Sequence, residues 1–305
     1  MRSSPLVSRS GRGEGTLSGV GRCDVEGQGW VMSSSDRTSP GAAVQEVALG
    51  GGRTTTGVVR IGDAVHRPAR PWTASVHAVL RHLEAAGFEG APRVLGFDEL
   101  GREVLTFLPG ETVGERRPWP GWVSADQTLV QVGEWLRRLH AGMADFVPPD
   151  DAIWFSGRPW RPGLVVGHHD AAPYNAVWRD GRLVGFVDWD TAGPSTPAFD
   201  LAYSALLWVP LLSPGSSWPH ASSAPDDRAR RLHLLLDAYG WAGDRQSFGT
   251  ALATRARVNA QFIDGFAARG DPAYQAIRRQ ADDLERSARD IEALPASFWE
   301  SPPRT

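Results

Sequence analysis

The sequence predicts an α+β fold of two lobes, a small antiparallel-sheet lobe followed by a larger, mainly helical one. Three observations lead there. Between Val44 and about residue 109, short β-type runs alternate with Gly-containing turns around one amphipathic helix. From residue 126 onward, most long stretches carry apolar residues at helical spacing. Within that second region, residues 165–190 (VVGHHDAAPYNAVWRDGRLVGFVDWD) wedge two His, four Asp and one of only two Asn in the chain between short apolar runs.

Composition sets the frame for these elements. The 305 residues are 41% hydrophobic, enough for one large core or two smaller ones, and no apolar run is long enough to span a bilayer. A formal net charge of -3 and scattered Arg give no basic run to track a phosphate backbone. The expected partner is therefore a small molecule, with neither nucleic acid nor membrane. One cysteine, Cys23, cannot form an internal disulfide, and no signal segment opens the chain, which points to a cytoplasmic protein. Lysine is absent, so all 32 Lys-or-Arg positions are arginines, a bias that reads as genome composition.

Residues 1–40 are rich in Ser, Gly and Arg without apolar period, and are expected to be a disordered tail or an over-extended start preceding Met32. The sheet lobe, 41–109, begins with VQEVALGGG, TTTGVVRIG and DAVHRP as strands. TASVHAVLRHLEAAG follows as a helix, with Val76, Val79, Leu80 and Leu83 on one face, Thr73 as a candidate N-cap and Gly87 as its stop. APRVLGFDEL and REVLTFL form a second hairpin before the Pro109-Gly110 break. The helical lobe, 110–305, opens with DQTLVQVGEWLRRLHAG, whose Leu129, Val132, Trp135, Leu136 and Leu139 share a face; 226–240, 246–269 and 272–293 are expected to be helical as well.

Inside that lobe, LVV at 164–166 reads as a buried strand, and NAVW and RLVGFV as a hairpin closed by Arg179-Asp180-Gly181. A hairpin brings the residue entering its first strand beside the residue leaving its second, so Asn175 and Asp188 become neighbours. Asp170, five residues before Asn175, points into the same space. Carboxylate and amide oxygens are the ligands magnesium prefers, and magnesium commonly brings substrate phosphates with it.

The spacing His168-x-Asp170-x-x-x-x-Asn175, with Asp188 further on, resembles the catalytic loop and metal-binding Asp of protein-kinase-like enzymes. HHDAAPYN followed by VGFVDWD is more similar to the aminoglycoside phosphotransferase and choline kinase family of small-molecule kinases. FLPG at 107–110, LRRLH at 136–140 and FDLA at 199–202 extend the resemblance over about Val44–Ala267. It implies a protein-kinase-like fold and transfer of a phosphoryl group from ATP or GTP, with Mg2+, to a hydroxyl of a small molecule. It also implies roles: Asp170 accepts or orients the hydroxyl proton, and Asn175 and Asp188 hold the metal. His168 braces the loop, and Asp200 accepts backbone donors from it. Asp190 either reaches a metal through water or caps a turn. Backbone groups of Thr106, Phe107 and Leu108 meet the adenine.

Other polar residues carry a blander expectation. His169, where relatives often have Gly, is a loop residue; Asp180 is a turn residue; His140 packs or satisfies a carbonyl; the 13 Trp anchor core and loops. The run GGGRTTTG, with Gly51 and Gly52, is a weak phosphate cradle, since it does not match G-x-G-x-x-G. Asp264, Asp271, Asp282, Asp283 and Glu285 form an acidic set that either meets a cationic acceptor or is merely solvated.

The family pattern is broken at one place. Kinase-like folds use a Lys on the third strand, paired with a Glu on the next helix, to grip the nucleotide phosphates. Here that strand offers His66 and Arg67, of which Arg67 is expected to turn toward the cleft; the helix offers His77 near the expected position and Glu84 two turns further on. Two alternatives to a working kinase therefore stay open: a catalytically weak nucleotide-binding regulator, and a metal-dependent hydrolase using His168, His169, Asp170, Asp188 and Asp190.

Overall fold

A computed structural model describes residues 45–49, 57–114, 118–217 and 225–300. The tail 1–40 and the glycines Gly51 and Gly52 lie outside the described residues.

The first lobe is a five-stranded antiparallel sheet with one helix against it. Its strands are β1 (Glu46–Ala48), β2 (Val59–Ile61), β3 (Ala64–Pro68), β4 (Val94–Phe97) and β5 (Arg102–Thr106), in spatial order β1-β2-β3-β5-β4. Helix α1 (Thr73–Ala85) sits between β3 and β4 in sequence and buries Val76, Val79, Leu80 and Leu83, the apolar stripe its spacing predicts. Thr73 is not its N-cap. It is the first helical residue, and its Oγ1 accepts from the Arg70 N–H at 2.8 Å, bracing the approach to the helix instead.

Helix α2 (Asp126–Gly142) opens the second lobe and buries Leu129, Val132, Trp135, Leu136 and Leu139. Next come β6 (Val165–Gly167), the hairpin β7 (Ala176–Arg179) and β8 (Arg182–Phe186), and β9 (Gly193–Ser195), which pairs with β6. The remainder is helical: α3 (Pro197–Trp208), α4 (Pro225–Tyr239), α5 (Arg245–Ala268), α6 (Pro272–Ala276), α7 (Arg279–Glu292) and α8 (Ala296–Trp299). The single helix expected over 272–293 is thus two, divided at Ile277 and Arg278. Helix α4 packs on α2, while α5 packs on α3 and α7. Trp135, Phe186, Trp189 and Trp208 form the aromatic centre of this core, just behind the polar loops. Among the described residues, no helix is long and apolar enough to cross a membrane.

The connection between the lobes is pinned to the hairpin. Glu111 exchanges two backbone hydrogen bonds with Trp178 of β7, each 2.8 Å, so the chain leaving β5 runs directly over the β7–β8 pair.

Candidate active site

The loop from His168 to Asn175 is held from below by one stripe of α3. Asp200, Ser204 and Trp208 are four residues apart, so they project from the same helix face. Asp200 Oδ1 accepts the His169 N–H at 2.7 Å and its Oδ2 accepts the His168 N–H at 3.1 Å. Ser204 Oγ and Trp208 Nε1 both donate to the carbonyl of Ala171, each at 2.9 Å. Gly167 makes this approach feasible, because a Cβ there would lie 2.6 Å from the Asp200 carboxyl carbon. Asp200 is 1% exposed, and its hydrogen bonds from His140 and the loop outweigh burial, holding its pKa well below the usual carboxylate range. His140 therefore does not satisfy a carbonyl. It bridges Asp200 Oδ2 through Nε2 and the Tyr239 hydroxyl through Nδ1, both at 2.9 Å.

Within the loop, His168 Nδ1 accepts the Asp170 N–H at 3.2 Å, and burial depresses its pKa to about 4, so the ring is neutral near pH 7. His169 adopts a left-handed backbone with φ 63°, a conformation that favours Gly. Two contacts from outside the loop hold it there. Arg255 of α5 donates to its carbonyl at 2.7 Å, and its ring Nε2 lies 3.2 Å from the Gly193 carbonyl. The Arg255 guanidinium is buried and stacks over Phe199 and Tyr203.

Asp170 is brought together with Asn175 as the spacing predicts. The Asn175 amide donates to Asp170 Oδ2 at 2.8 Å and to the Asp170 carbonyl at 3.0 Å, which leaves Asn175 Oδ1 as its remaining acceptor. Tyr174 donates to Asp170 Oδ1 at 2.6 Å, and its oxygen lies 2.8 Å from the Tyr203 hydroxyl. Asn175 also sits beside the end of β8, accepting the Val187 N–H at 3.0 Å. Asp188 follows with φ 61°, and Thr191 Oγ1 ties this turn back to the His168 carbonyl at 3.0 Å.

From the other lobe, Arg67 reaches these acids. Its Nε lies 2.9 Å from Glu103 Oε1, its Nη1 3.5 Å from Asp188, and its Nη2 pairs with Asp190. Asp190 thus meets Arg67 rather than capping a turn. His66, one residue away, points elsewhere and meets Asp98 at 2.8 Å. Glu84 is exposed and lies 3.9 Å from Arg93. The carboxylate beside His77 is Glu103, at 3.0 Å. In the segment expected to meet adenine, the Thr106 and Phe107 N–H groups donate to the carbonyls of Arg93 (2.9 Å) and Asp63 (2.8 Å), so these two are spent within the fold.

Most of the acidic set on the helical lobe is engaged. Asp271 caps α6, Asp264 and Asp282 pair with Arg278, and Asp283 is fully buried, accepting from Ser217. Asp283 is accordingly part of the fold rather than an open acceptor surface.

Among the described residues, no group of three or more His, Cys, Asp and Glu is spaced to hold one metal ion. Asn175 and Asp188 offer two oxygen ligands, which suits magnesium completed by substrate phosphates and water.

Burial first, then the nearby charge of Asp188, pushes the Asp170 carboxyl up to about 7, against the pull of Tyr174 and Asn175. Its folded pKa exceeds the unfolded value of about 3.9, so the destabilisation from ionising it grows as pH rises from about 4 to 7 and is full above that. Asp170→Asn is therefore expected to be more stable than wild type at pH 8, by at most a few kcal/mol, and to melt higher, with the advantage shrinking toward pH 5. Thermal unfolding of both proteins at the two pH values checks this, and an advantage that grows on acidification would contradict it.

An antiparallel-sheet lobe followed by a helical lobe is the two-lobed α+β fold of protein-kinase-like enzymes. A model described as "Phosphotransferase enzyme family" matches residues 153–243. The chain is 42% identical over 201 residues to a trifolitoxin immunity protein of Rhizobium leguminosarum bv. trifolii, covering 64% of this chain and 74% of that one. Among solved structures it is similar to a choline/ethanolamine kinase family protein from Mesorhizobium loti (TM-score 0.59, 19% identity, 85% and 91% of the two chains). It is also similar to a spectinomycin phosphotransferase in complex with ADP and spectinomycin (TM-score 0.51, 12% identity, 82% and 93%). The chain belongs to the phosphotransferase enzyme family.

Proposed function

We propose that this protein moves the γ-phosphate of ATP or GTP to a hydroxyl of a small molecule. One observation carries the reading: Asp170, Asn175 and Asp188 share one end of the β7–β8 hairpin, and Arg67 of the sheet lobe faces them across the cleft. Asp170 accepts or orients the hydroxyl proton, with a carboxyl already pushed up to about 7, a value suited to general-base work near neutral pH. Asn175 Oδ1 and Asp188 hold magnesium, which when bound supplies charge neutralisation for the phosphates. Arg67 supplies the fixed positive charge that a lysine supplies in related folds, and its planar fork suits phosphate oxygens. The catalytic contribution is positioning and electrostatics, with no covalent intermediate on the protein.

A screen of hydroxylated metabolites, aminoglycosides and trifolitoxin for acceptor-dependent nucleotide consumption tests this. The immunity-protein relative puts the toxin in that screen. The missing strand lysine and helix glutamate favour a second reading, nucleotide binding without turnover. Tight ADP binding with no consumption across the screen would select it.

Arg67→Ala is expected to weaken Mg-nucleotide binding by about ten- to hundredfold, the effect of losing one charge-assisted contact of about 1.5–3 kcal/mol. His66→Ala, directed at Asp98 instead, is expected to change it little. Calorimetric titration of folded variants reads both, and the reverse ranking would remove Arg67 from the nucleotide site.

A further inference from the structure

In kinase-like folds the carboxylate that aims the strand lysine comes from the following helix. Here the helix position carries His77, and the carboxylate stands on the neighbouring strand. Arg67 and Glu103 face each other directly in the β3–β5 register, so the sheet itself sets their approach. Glu103 Oε1 lies 2.9 Å from Arg67 Nε, and Glu103 Oε2 lies 3.0 Å from His77 Nε2. The three residues are 7%, 2% and 2% exposed, Arg67 first, then Glu103 and His77.

We propose that Glu103 is a positioning residue of the nucleotide site, aiming Arg67 from β5 and coupling it to α1 through His77. The inference rests on the function proposed above. The Glu103 carboxylate lies against the Nε edge of the guanidinium as an ion pair rather than a hydrogen bond, and both Nη groups stay toward the cleft, where they meet Asp188 and Asp190. An ammonium has no second edge to divide in this way, which is why an arginine can serve here with its acid on the strand beside it. Stability alone does not account for the trio. A buried ion pair roughly breaks even against well-packed apolar residues of the same volume, so three buried polar groups in one line point to placement of a charge.

The test titrates Mg-ADP into the full chain, with thermal unfolding measured alongside, for wild type, Glu103→Gln and the double variant His77→Glu/Glu103→Gln. Glu103→Gln is expected to bind about tenfold or more weakly, since a neutral amide holds the guanidinium edge less firmly than a carboxylate does. In the double variant, the strand amide accepts from Arg67 and donates to the new carboxylate on α1, which returns the negative charge from the helix side and recovers part of the affinity. A folded Glu103→Gln protein that binds Mg-ADP like wild type would overturn the proposal. If that variant does not fold, the double variant decides: folding with affinity above Arg67→Ala supports the coupling, and affinity no better than Arg67→Ala overturns it. Wild type that binds no Mg-ADP would instead overturn the functional reading, and this proposal with it.

Discussion

Asp170→Ala is expected to lower phosphoryl transfer by about 10²- to 10⁴-fold, the usual contribution of a positioned general base, while Mg-ADP affinity stays near wild type. The geometry separates the two quantities. Asp170 is reached by Tyr174 and Asn175, whereas the cation facing the cleft, Arg67, pairs with Asp188 and Asp190. A carboxylate offers about four lone-pair directions, and two are taken here, so a substrate hydroxyl still finds an acceptor. Asp188→Ala provides the contrast. It removes a metal ligand and should depress nucleotide affinity and transfer together. Tyr174→Phe removes one hydrogen bond to Oδ1 and keeps the carboxylate, so its loss of turnover should be much smaller. Single-turnover assays with any acceptor found by screening, paired with calorimetry, read each effect. Wild-type transfer in Asp170→Ala would refute the role given to that carboxylate.

What could be read in the sequence depended on how local the determining interactions are. The sheet lobe, the helical lobe and the meeting of Asp170, Asn175 and Asp188 follow from short-range signals: turn residues, strand alternation and hairpin closure. The facing of Arg67 against His66 follows from the same period of two. Contacts between distant segments were not legible. Nothing around Arg255 in α5 announces that its guanidinium reaches His169, 86 residues earlier. Glu103 did leave a trace, since it alternates in phase with Leu105, placing a carboxylate on a face that should be apolar. A buried acid in such a phase implies a buried cation, but the sequence alone does not say which one. The acidic set near the C-terminus shows the opposite limit: Asp283 looked like its neighbours, and only its burial against Ser217 shows its part in the fold.

Asp200→Ala is expected to destabilise the protein by several kcal/mol, since each buried donor left unsatisfied costs about 1–3 kcal/mol. The carboxylate gathers three donors, the His168 and His169 amides and His140 Nε2, and none has water to turn to once it is gone. Asp200→Asn should not rescue it. An amide has one acceptor oxygen, so either rotamer turns its NH2 group against a donor, and Gly167 packs too closely for the side chain to move aside. Ser204 and Trp208 still hold the Ala171 carbonyl, so the loss should concentrate at residues 168–170 rather than spread over the lobe. Denaturant unfolding gives the magnitude, and hydrogen exchange at the His168 and His169 amides gives the place. Unchanged protection of those two amides in a folded Asp200→Ala protein would show that another part of the fold holds the loop.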